Sequence, residues 1–206
     1  LYHLWESKKL ISITELSERL EVSKSTASNM AKSLQEMGWV NYKKYQPLQL
    51  TEKGRKAAAK VIRKHRLTEM FLYEIMGFSW DEVHEVAEQL EHIDSERLFA
   101  RMDEMLDHPS LDPHGSPIPD KDGNVQLQKY SLLTDIASGQ KVEIRALADS
   151  SKAFLRYLDQ VGIGIGTVIN VLKVESFDRS LLVSYNEKTS SLISEKVGKN
   201  LLVKLL

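Results

Sequence analysis

A proline-rich segment divides this chain into two parts with different residue patterns. Residues 107–124, DHPSLDPHGSPIPDKDGN, contain four of the five prolines and two of the ten glycines. This composition is typical of a loop or linker and disfavours a core helix or strand. Before it, apolar residues recur at helical spacings. After it, short strand-like runs alternate with turn residues, among them VEIRAL at 142–147, GTVINVLKV at 166–174, SLLVSY at 180–185 and LLVKLL at 201–206. We therefore predict helices before the segment and a small β-barrel or sandwich after it.

The first third of the chain has the pattern of a helix-turn-helix followed by a β wing. ITELSERL at 13–20 and KSTASNMAKSLQEMG at 24–38 place apolar residues three and four positions apart, which predicts two short helices joined by a three-residue turn. Ser23 is positioned to cap the second helix. Strand-forming residues at 39–42 and 48–50 flank a lysine-containing tip, which predicts a two-stranded wing.

Charge is divided unevenly between the two ends of the chain. Residues 1–64 carry 13 Lys and Arg against 6 Asp and Glu, a balance of +7, whereas residues 65–206 carry 15 against 23, a balance of −8. A basic first third favours a polyanionic partner. The acidic remainder favours either a bound cation or a solvated surface.

Three helices are predicted between the wing and the proline-rich segment. Their periodicity covers about 52–76, about 80–92 and about 95–106. Thr51 and Ser79 are the predicted N-caps of the first two helices.

The second of these three helices carries residue types that bind metals. Spacings of i, i+4, i+7 and i+8 place four of them on one face: His84, Glu88, Glu91 and His92. The preceding helix offers His65 and Glu69 at i, i+4. Such residues on a helix face are usually solvated, but neighbouring carboxylates repel each other unless a cation lies between them. Two clusters on adjacent helices favour a divalent-metal site, with a solvated polar face as the alternative.

The chain contains no cysteine, which excludes a disulfide framework and any thiolate metal ligand. A site built from carboxylate and imidazole suits Mn²⁺ or Fe²⁺ better than a closed structural zinc site. No apolar run approaches the roughly 18 residues of a membrane-spanning helix, and the first residues lack the pattern of a secretory leader. We therefore expect a cytoplasmic protein.

The order of these motifs resembles the diphtheria toxin repressor family of metal-dependent transcription regulators. The resemblance rests on the winged helix-turn-helix, HRLTE at 65–69, VHEVAEQLEH at 83–92 and PHGSPIP at 113–119, and it extends over nearly the whole chain. The chain is similar to the manganese-responsive branch, which keeps a third, SH3-like domain. The implied fold is mostly α with β, in three domains: a winged helix-turn-helix at 1–64, a helical metal-binding and dimerisation domain with the Pro-rich loop at 65–124, and a small SH3-like β-barrel at 125–206.

The resemblance implies two metal sites. The primary site is implied to use four residues of this sequence: His65, Glu88, Glu91 and His92. A further acidic or methionine ligand is implied ahead of Leu1. The secondary site is implied to use another four: Glu69, Asp112, His114 and Asp149. His84 matches an ancillary ligand of iron-type members, and its role as a ligand or as a surface residue stays open. His3 and His108 are expected on the surface.

The implied activating ion is Mn²⁺. Iron-responsive relatives have cysteine where this chain has Glu88, and a hard carboxylate in place of a soft thiolate favours manganese. Activation by Fe²⁺ in the same family is the alternative, and Zn²⁺ or Cd²⁺ is expected to be able to substitute.

The resemblance implies a homodimer that binds double-stranded operator DNA and represses metal-uptake genes. The predicted recognition helix and wing tip offer ten residues to DNA: Ser23, Lys24, Ser25, Thr26, Ser28, Asn29, Lys32, Lys43, Lys44 and Tyr45. Asn29 is the expected base reader and the lysines are expected along phosphates, with solubility as their alternative role. Phe71, Leu98, Met102 and Met105 are expected at the dimer interface or, alternatively, in the monomer core.

Two other classes of function are weighed against this one. A metalloenzyme could use a glutamate beside the metal as a general base, but the chain has no HExxH motif and no Gly-rich phosphate loop. A winged-helix protein could instead sense an organic ligand through its C-terminal domain. Uptake of Mn²⁺ by the protein distinguishes the metal-dependent regulator from this sensor, and turnover of a substrate identifies the enzyme.

Overall fold

A computed structural model describes residues 10–44, 46–126, 128–186 and 188–206 of the chain, without the side chain of residue 188. Two predicted residues, His3 and Tyr45, lie outside this description. Within it, one compact unit contains residues up to 64 together with 119–125, and the other contains 65–118 and 126–206. The proposed boundaries of the three domains stay predictions.

The N-terminal unit begins with the predicted helix-turn-helix, formed by α1 (Ile13–Arg19) and α2 (Lys24–Glu36). A capping box starts α1, because the Ser12 hydroxyl accepts from the Glu15 amide while the Glu15 carboxylate accepts from the Ser12 amide. Ser23 caps α2, as predicted, by accepting from the Thr26 amide.

The predicted wing follows as β1 (Val40–Asn41) and β2 (Gln49–Leu50), which pair antiparallel. Gly54 lies so close to this hairpin that an added Cβ would collide with the Trp39 carbonyl. Apolar residues from both helices, the wing and the adjoining segments form the core of the unit: Ile11, Leu16, Ala27, Ala31, Val40, Tyr42, Leu48, Leu50 and Ala59.

Helix α3 (Glu52–Glu74) is the predicted long helix, and Thr51 caps it by accepting from the Gly54 amide at 3.0 Å. Arg55 and Arg63 on this helix donate, both at 2.7 Å, to the carbonyls of Gly123 and Pro119. These bonds attach the last part of the proline-rich segment to the N-terminal unit.

The next two helices are α4 (Val83–Leu90) and α5 (Glu96–Met105). Our predicted start of α4 at about residue 80 is wrong, because the Ser79 hydroxyl donates to Asp81 and Glu82 and forms a turn ahead of the helix. The predicted end at about residue 92 is also wrong, since the last helical residue is Leu90. His92 therefore lies beyond the helix.

The C-terminal part of the second unit is a six-stranded antiparallel sheet in the order β3-β8-β4-β5-β6-β7. Its strands are β3 (Ser131–Leu132), β4 (Lys141–Leu147), β5 (Val168–Val174), β6 (Leu181–Tyr185), β7 (Lys188–Ile193) and β8 (Leu201–Leu205). Four of them, β4, β5, β6 and β8, coincide with apolar runs from which we predicted strands. Leu133–Asp135 form a short 3₁₀ turn.

Helix α6 (Lys152–Val161) between β4 and β5 was not predicted, and neither was the short helix α7 (Glu195–Gly198) between β7 and β8. Leu155 and Leu158 of α6 are buried in the core of the sheet domain, and Gly162 ends the helix with φ +74°. Among the helices in the described ranges, none is both long and apolar enough to cross a membrane.

Candidate metal centre

Two clusters of potential metal ligands meet at Glu69, whose side chain is buried on α3. The first cluster contains His65, Glu69 and His84, and the second contains Glu69, Asp112 and His114. In each cluster the ligand atoms lie within 4.8 Å of one another. The shared carboxylate makes the two clusters neighbours.

The first cluster joins α3 to both ends of α4. His65 Nε2 lies 3.1 Å from Glu69 Oε1 and 3.1 Å from His84 Nδ1, while His65 Nδ1 lies 2.7 Å from Glu91 Oε2. His65 and Glu69 face each other because they are one helical turn apart. Glu91 reaches His65 from the C-cap position of α4. Glu91 thus extends the first cluster to four side chains.

Burial and the neighbouring histidines act in opposite directions on Glu69. Burial raises the pKa of its carboxyl, but hydrogen bonds from His65 and His84, together with charge interactions with nearby histidines, outweigh burial and hold that pKa at about 2. Burial lowers the pKa of His65, yet hydrogen bonds to Glu69 and Glu91 leave it raised. The Glu69 hydrogen bond also raises the pKa of His84. The acids of this cluster therefore favour the protonated form of both imidazoles.

The second cluster depends on a tight turn in the proline-rich segment. Asp112 Oδ1 accepts from the amides of His114 and Ser116, both at 2.9 Å, which fixes the carboxylate. Gly115 has φ +82°, and an added Cβ would collide with the Arg145 carbonyl of β4. The His114 carbonyl accepts from the Leu147 amide at 3.0 Å. The turn is consequently held against the sheet domain.

Asp112 carries an incompletely compensated negative charge. Burial raises the pKa of its carboxyl to about 6, and the nearby Glu69 adds to that increase. Arg66 Nε lies 3.7 Å from Asp112 Oδ2 and offsets only part of the effect. A group of buried acids with this imbalance is electrostatically suited to a divalent cation.

Not every predicted ligand joins a cluster. Glu88 and His92 are exposed, and Asp149 accepts hydrogen bonds from the Ser151 amide at 2.8 Å and from its hydroxyl at 3.1 Å. None of the three belongs to a cluster of potential metal ligands among the described residues. His84, which the sequence left open, lies in the first cluster. The assignment of all these residues as ligands stays a prediction.

Two residues beside the clusters were missed by sequence reasoning. Arg66 donates to the Pro117 carbonyl as well as lying near Asp112. Trp80 accepts a hydrogen bond from His114 through its carbonyl and stacks on the imidazole. The position of Arg66 next to the candidate ligand His65 could have indicated a residue close to the site. Nothing of comparable strength in the sequence indicates Trp80.

Four of the predicted DNA-contacting residues take part in hydroxyl contacts. Ser23 Oγ interacts with the hydroxyls of Ser25 and Thr26 at 2.7 and 2.8 Å, and Ser28 receives a 3.5 Å hydrogen bond from Tyr42. The remaining described candidates are exposed: Lys24, Asn29, Lys32, Lys43 and Lys44. Tyr42 is itself buried and links the wing to α2 within the N-terminal unit.

Of the four residues expected at a dimer interface, one lies in the monomer core. Met102 is 7% exposed and packs with Leu67 and Phe99. Phe71 and Leu98 are partly buried against the same cluster, while Met105 is 48% exposed. His108, expected on the surface, is largely exposed but contacts the buried Asp103 carboxylate at 2.9 Å.

Comparisons with known proteins agree with this architecture. Residues 1–48 match the model "Iron dependent repressor, N-terminal DNA binding domain", residues 51–120 match "Iron dependent repressor, metal binding and dimerisation domain", and residues 132–205 match the FeoA domain. The diphtheria toxin repressor of Corynebacterium diphtheriae is 35% identical over 203 residues, covering 95% of this chain and 89% of that protein.

Two further relatives differ in the metal that their names contain. The iron-dependent repressor IdeR of Mycobacterium leprae is 34% identical over 151 residues, covering 70% of this chain and 66% of that protein. A solved structure described as a manganese-dependent transcriptional repressor in complex with manganese has a TM-score of 0.89 and 34% identity, covering 100% of this chain and 97% of the other. The sequence, the fold and these relatives together show that the chain belongs to the diphtheria toxin repressor family of metal-dependent transcriptional repressors.

Proposed function

We propose that this chain is a transcriptional repressor that binds operator DNA as a homodimer when Mn²⁺ occupies two centres around Glu69. The observation that carries the proposal is the sharing of one buried carboxylate by two clusters of acids and imidazoles. Family membership supports the repressor activity, and the exposed polar face of α2 supports contact with DNA.

The residues present suit a divalent cation. Glu69 and Asp112 are 3% and 6% exposed, and buried carboxylates that face each other are costly without a neighbouring positive charge. His65, His84 and His114 supply nitrogen ligands, and the chain offers no sulfur from cysteine. This set of oxygen and imidazole donors favours Mn²⁺, with Fe²⁺ as the second candidate because one relative is named an iron-dependent repressor.

The proposed first centre uses His65, Glu69, His84 and Glu91, because their side chains already contact one another. Glu88 and His92 stay candidates from the sequence prediction.

The proposed second centre uses Glu69, Asp112 and His114, which form one buried group. Asp149 is the predicted fourth ligand from the sheet domain.

These ligands connect separate parts of the chain. His65 and Glu69 belong to α3, His84 and Glu91 to α4 and its cap, and Asp112 and His114 to the proline-rich turn. A bound divalent ion would supply positive charge beside the buried carboxylates of Glu69 and Asp112. Helix α3 starts two residues after the last strand of the wing and carries His65 and Glu69. We propose that metal occupancy is transmitted along this helix to the spacing of the two recognition helices in a dimer.

Within the proposed DNA interface, Asn29 is the base reader and Lys43 and Lys44 contact phosphates. An asparagine amide can pair with adenine in the major groove, whereas lysine acts as a point charge toward the backbone. Ser23 caps α2, so we assign its hydroxyl to helix formation and leave the helix N-terminal amides for phosphate. Met105 is the most exposed of the proposed dimer residues.

The decisive experiment measures binding of a DNA duplex, selected from a random library in Mn²⁺, with and without added Mn²⁺ or Fe²⁺. We expect tight binding only with metal, and stronger activation by Mn²⁺. Fluorescence anisotropy gives the affinity, and calorimetric titration gives the number of ions bound. Metal-independent DNA binding, or the absence of metal uptake, contradicts the proposal.

Matched variants on one helix test which acid serves the first centre. We expect Glu91→Gln to abolish most of the Mn²⁺ response, because Glu91 contacts His65. Glu88→Gln, at an exposed position outside both clusters, is the control and should retain the response. Loss of the response in both variants would favour the ligand set of the sequence prediction, which contains both acids, and a retained response in Glu91→Gln would contradict both ligand sets.

A further inference from the structure

Trp80 contacts the second cluster from the turn that precedes α4. Its carbonyl accepts a hydrogen bond from His114 Nε2 at 2.9 Å, and its indole ring stacks on the imidazole with a centroid separation of 6.2 Å and an interplanar angle of 22°. His114 is 3% exposed, so the ring has little room to turn. One residue therefore restrains the imidazole through both its backbone and its side chain.

The backbone contact determines which imidazole nitrogen carries a proton. A carbonyl oxygen can only accept a hydrogen bond, so Nε2 of His114 must be the donor. In a neutral imidazole the other nitrogen, Nδ1, then has a free lone pair. Metal-binding histidines commonly donate their second nitrogen to a carbonyl or carboxylate, which fixes the tautomer and the ring orientation.

The side chain of Trp80 also contacts the sheet domain. Indole Nε1 donates to Asp159 Oδ2 on α6 at 3.0 Å, and the neighbouring Asp81 accepts from Arg156 Nε of the same helix at 2.8 Å. Helix α6 begins at Lys152, close in sequence to Asp149, the predicted fourth ligand of the second centre. The turn before α4 is thus attached to the helix that follows this candidate ligand.

We propose that Trp80 is a positioning residue of the second metal centre. Its carbonyl selects the His114 tautomer that presents Nδ1 as a ligand, its ring holds the imidazole plane, and its indole N–H aligns α6 with the cluster. This inference rests on the proposed second centre at Glu69, Asp112 and His114.

The tautomer is tested first in wild-type protein without metal. Nitrogen NMR of ¹⁵N-histidine-labelled protein at a pH where His114 is neutral should give a protonated Nε2 and an unprotonated Nδ1. Titration with ¹¹³Cd²⁺, a diamagnetic probe, should then give scalar coupling to Nδ1 of His114. A protonated Nδ1, or coupling to Nε2, overturns the role of the carbonyl.

The side-chain role is tested by calorimetric titration of Mn²⁺ into variants. Trp80→Phe keeps the carbonyl and an aromatic ring but removes the N–H donor to Asp159. We expect affinity at the second centre to fall about tenfold, as is typical when an outer hydrogen bond of a metal ligand is lost. Asp159→Ala should give a similar loss, and the double variant should lose no more than either single variant.

Tyr73→Phe is the matched control, since Tyr73 lines the same cavity of about 350 Å³ beside Trp80. This variant should bind Mn²⁺ at both centres with unchanged affinity. The thermal unfolding midpoints of the metal-free variants show whether a defect in folding explains any loss of Mn²⁺ affinity. If Trp80→Phe binds Mn²⁺ with the same affinity as Tyr73→Phe, the positioning role of Trp80 is refuted. If His114→Ala leaves the number of bound ions unchanged, the proposed second centre fails instead, and the metal-free tautomer measurement still tests the carbonyl contact.

Discussion

Replacement of Asp112 by asparagine is expected to stabilise the metal-free protein while weakening its response to metal. The carboxylate is buried, and its Oδ1 accepts from two backbone amides. An asparagine carbonyl oxygen can accept the same two hydrogen bonds without carrying a charge. The substitution therefore removes a buried negative charge that lies close to Glu69, and it keeps the turn that holds His114.

The magnitude follows from the pKa of Asp112, which burial and Glu69 raise from 3.8 to about 6. At about 1.4 kcal/mol for each tenfold change in the dissociation constant, ionisation in the folded state costs up to about 3 kcal/mol at neutral pH. Because the folded-state pKa is raised, this cost is absent below about pH 4 and develops as the pH rises through about 6. The advantage of Asp112→Asn should follow the same course.

Urea unfolding followed by circular dichroism, with EDTA present, measures this difference at pH 4, 5.5 and 7. We expect no difference at pH 4 and a gain of up to about 3 kcal/mol at pH 7. With Mn²⁺ in place of EDTA, wild-type protein should gain more stability than the variant, because a ligand that binds only the folded state stabilises it according to its affinity. In EDTA, Asp149→Asn, at a half-buried carboxylate outside both clusters, is the control and should show no gain; it is not compared in Mn²⁺, because Asp149 is a predicted ligand of the second centre.

Two results would refute this reasoning. A loss of stability at pH 7 in the metal-free variant would show that the Asp112 charge is favourably compensated. A difference between wild type and variant that does not change with pH would show that ionisation of Asp112 is not its cause.

Three further predictions concern protons, the turn and DNA. Mn²⁺ affinity should fall as the pH drops from about 7 to about 5, because the raised pKa values of the first-cluster histidines and of Asp112 let protons compete with metal. Calorimetry in buffers of different ionisation enthalpy should show that metal binding releases protons. An affinity that stays constant with pH contradicts this prediction. Gly115→Ala should lower the free energy of unfolding by at least about 2 kcal/mol, measured by urea unfolding, because the added Cβ meets backbone at a residue with positive φ. Gly139→Ala, which also has positive φ but open space around it, should lower the free energy of unfolding by less. Alanine at both Lys43 and Lys44 should weaken binding to all DNA sequences alike and reduce its salt dependence; loss at a single base position would instead indicate base recognition.

Local sequence patterns predicted most of the secondary structure. The spacing of apolar residues in α1, α2 and α3, and the apolar runs of β4, β5, β6 and β8, depend on neighbours a few positions away. The missed element α6 has only Leu155 and Leu158 fully buried, so its apolar pattern is short and lies between two strong strand signals. Short amphipathic helices of this kind are stabilised mainly by packing against a partner.

The geometry of the candidate metal centre was only partly predictable. The i, i+4 spacing of His65 and Glu69 guarantees that they meet on any helix, and this determined one side of the first cluster. The choice of Glu91 over Glu88 depends on where α4 ends, and the inclusion of His84 depends on how α4 packs against α3. The spacing of residues along a helix predicts neither the residue at which the helix ends nor the way two helices pack.

The sequence by itself determined the types of candidate ligand and the helices and loop that carry them, because these follow from composition and short-range spacing. Only the tertiary structure decided that Glu69 is shared by two clusters, that Asp112 and His114 approach it across more than forty residues of chain, and that Trp80 restrains His114. The physical reason is that contacts between distant segments arise from burial of apolar surface and from close backbone approach, as at Gly115. Residue spacing along the chain records neither of these.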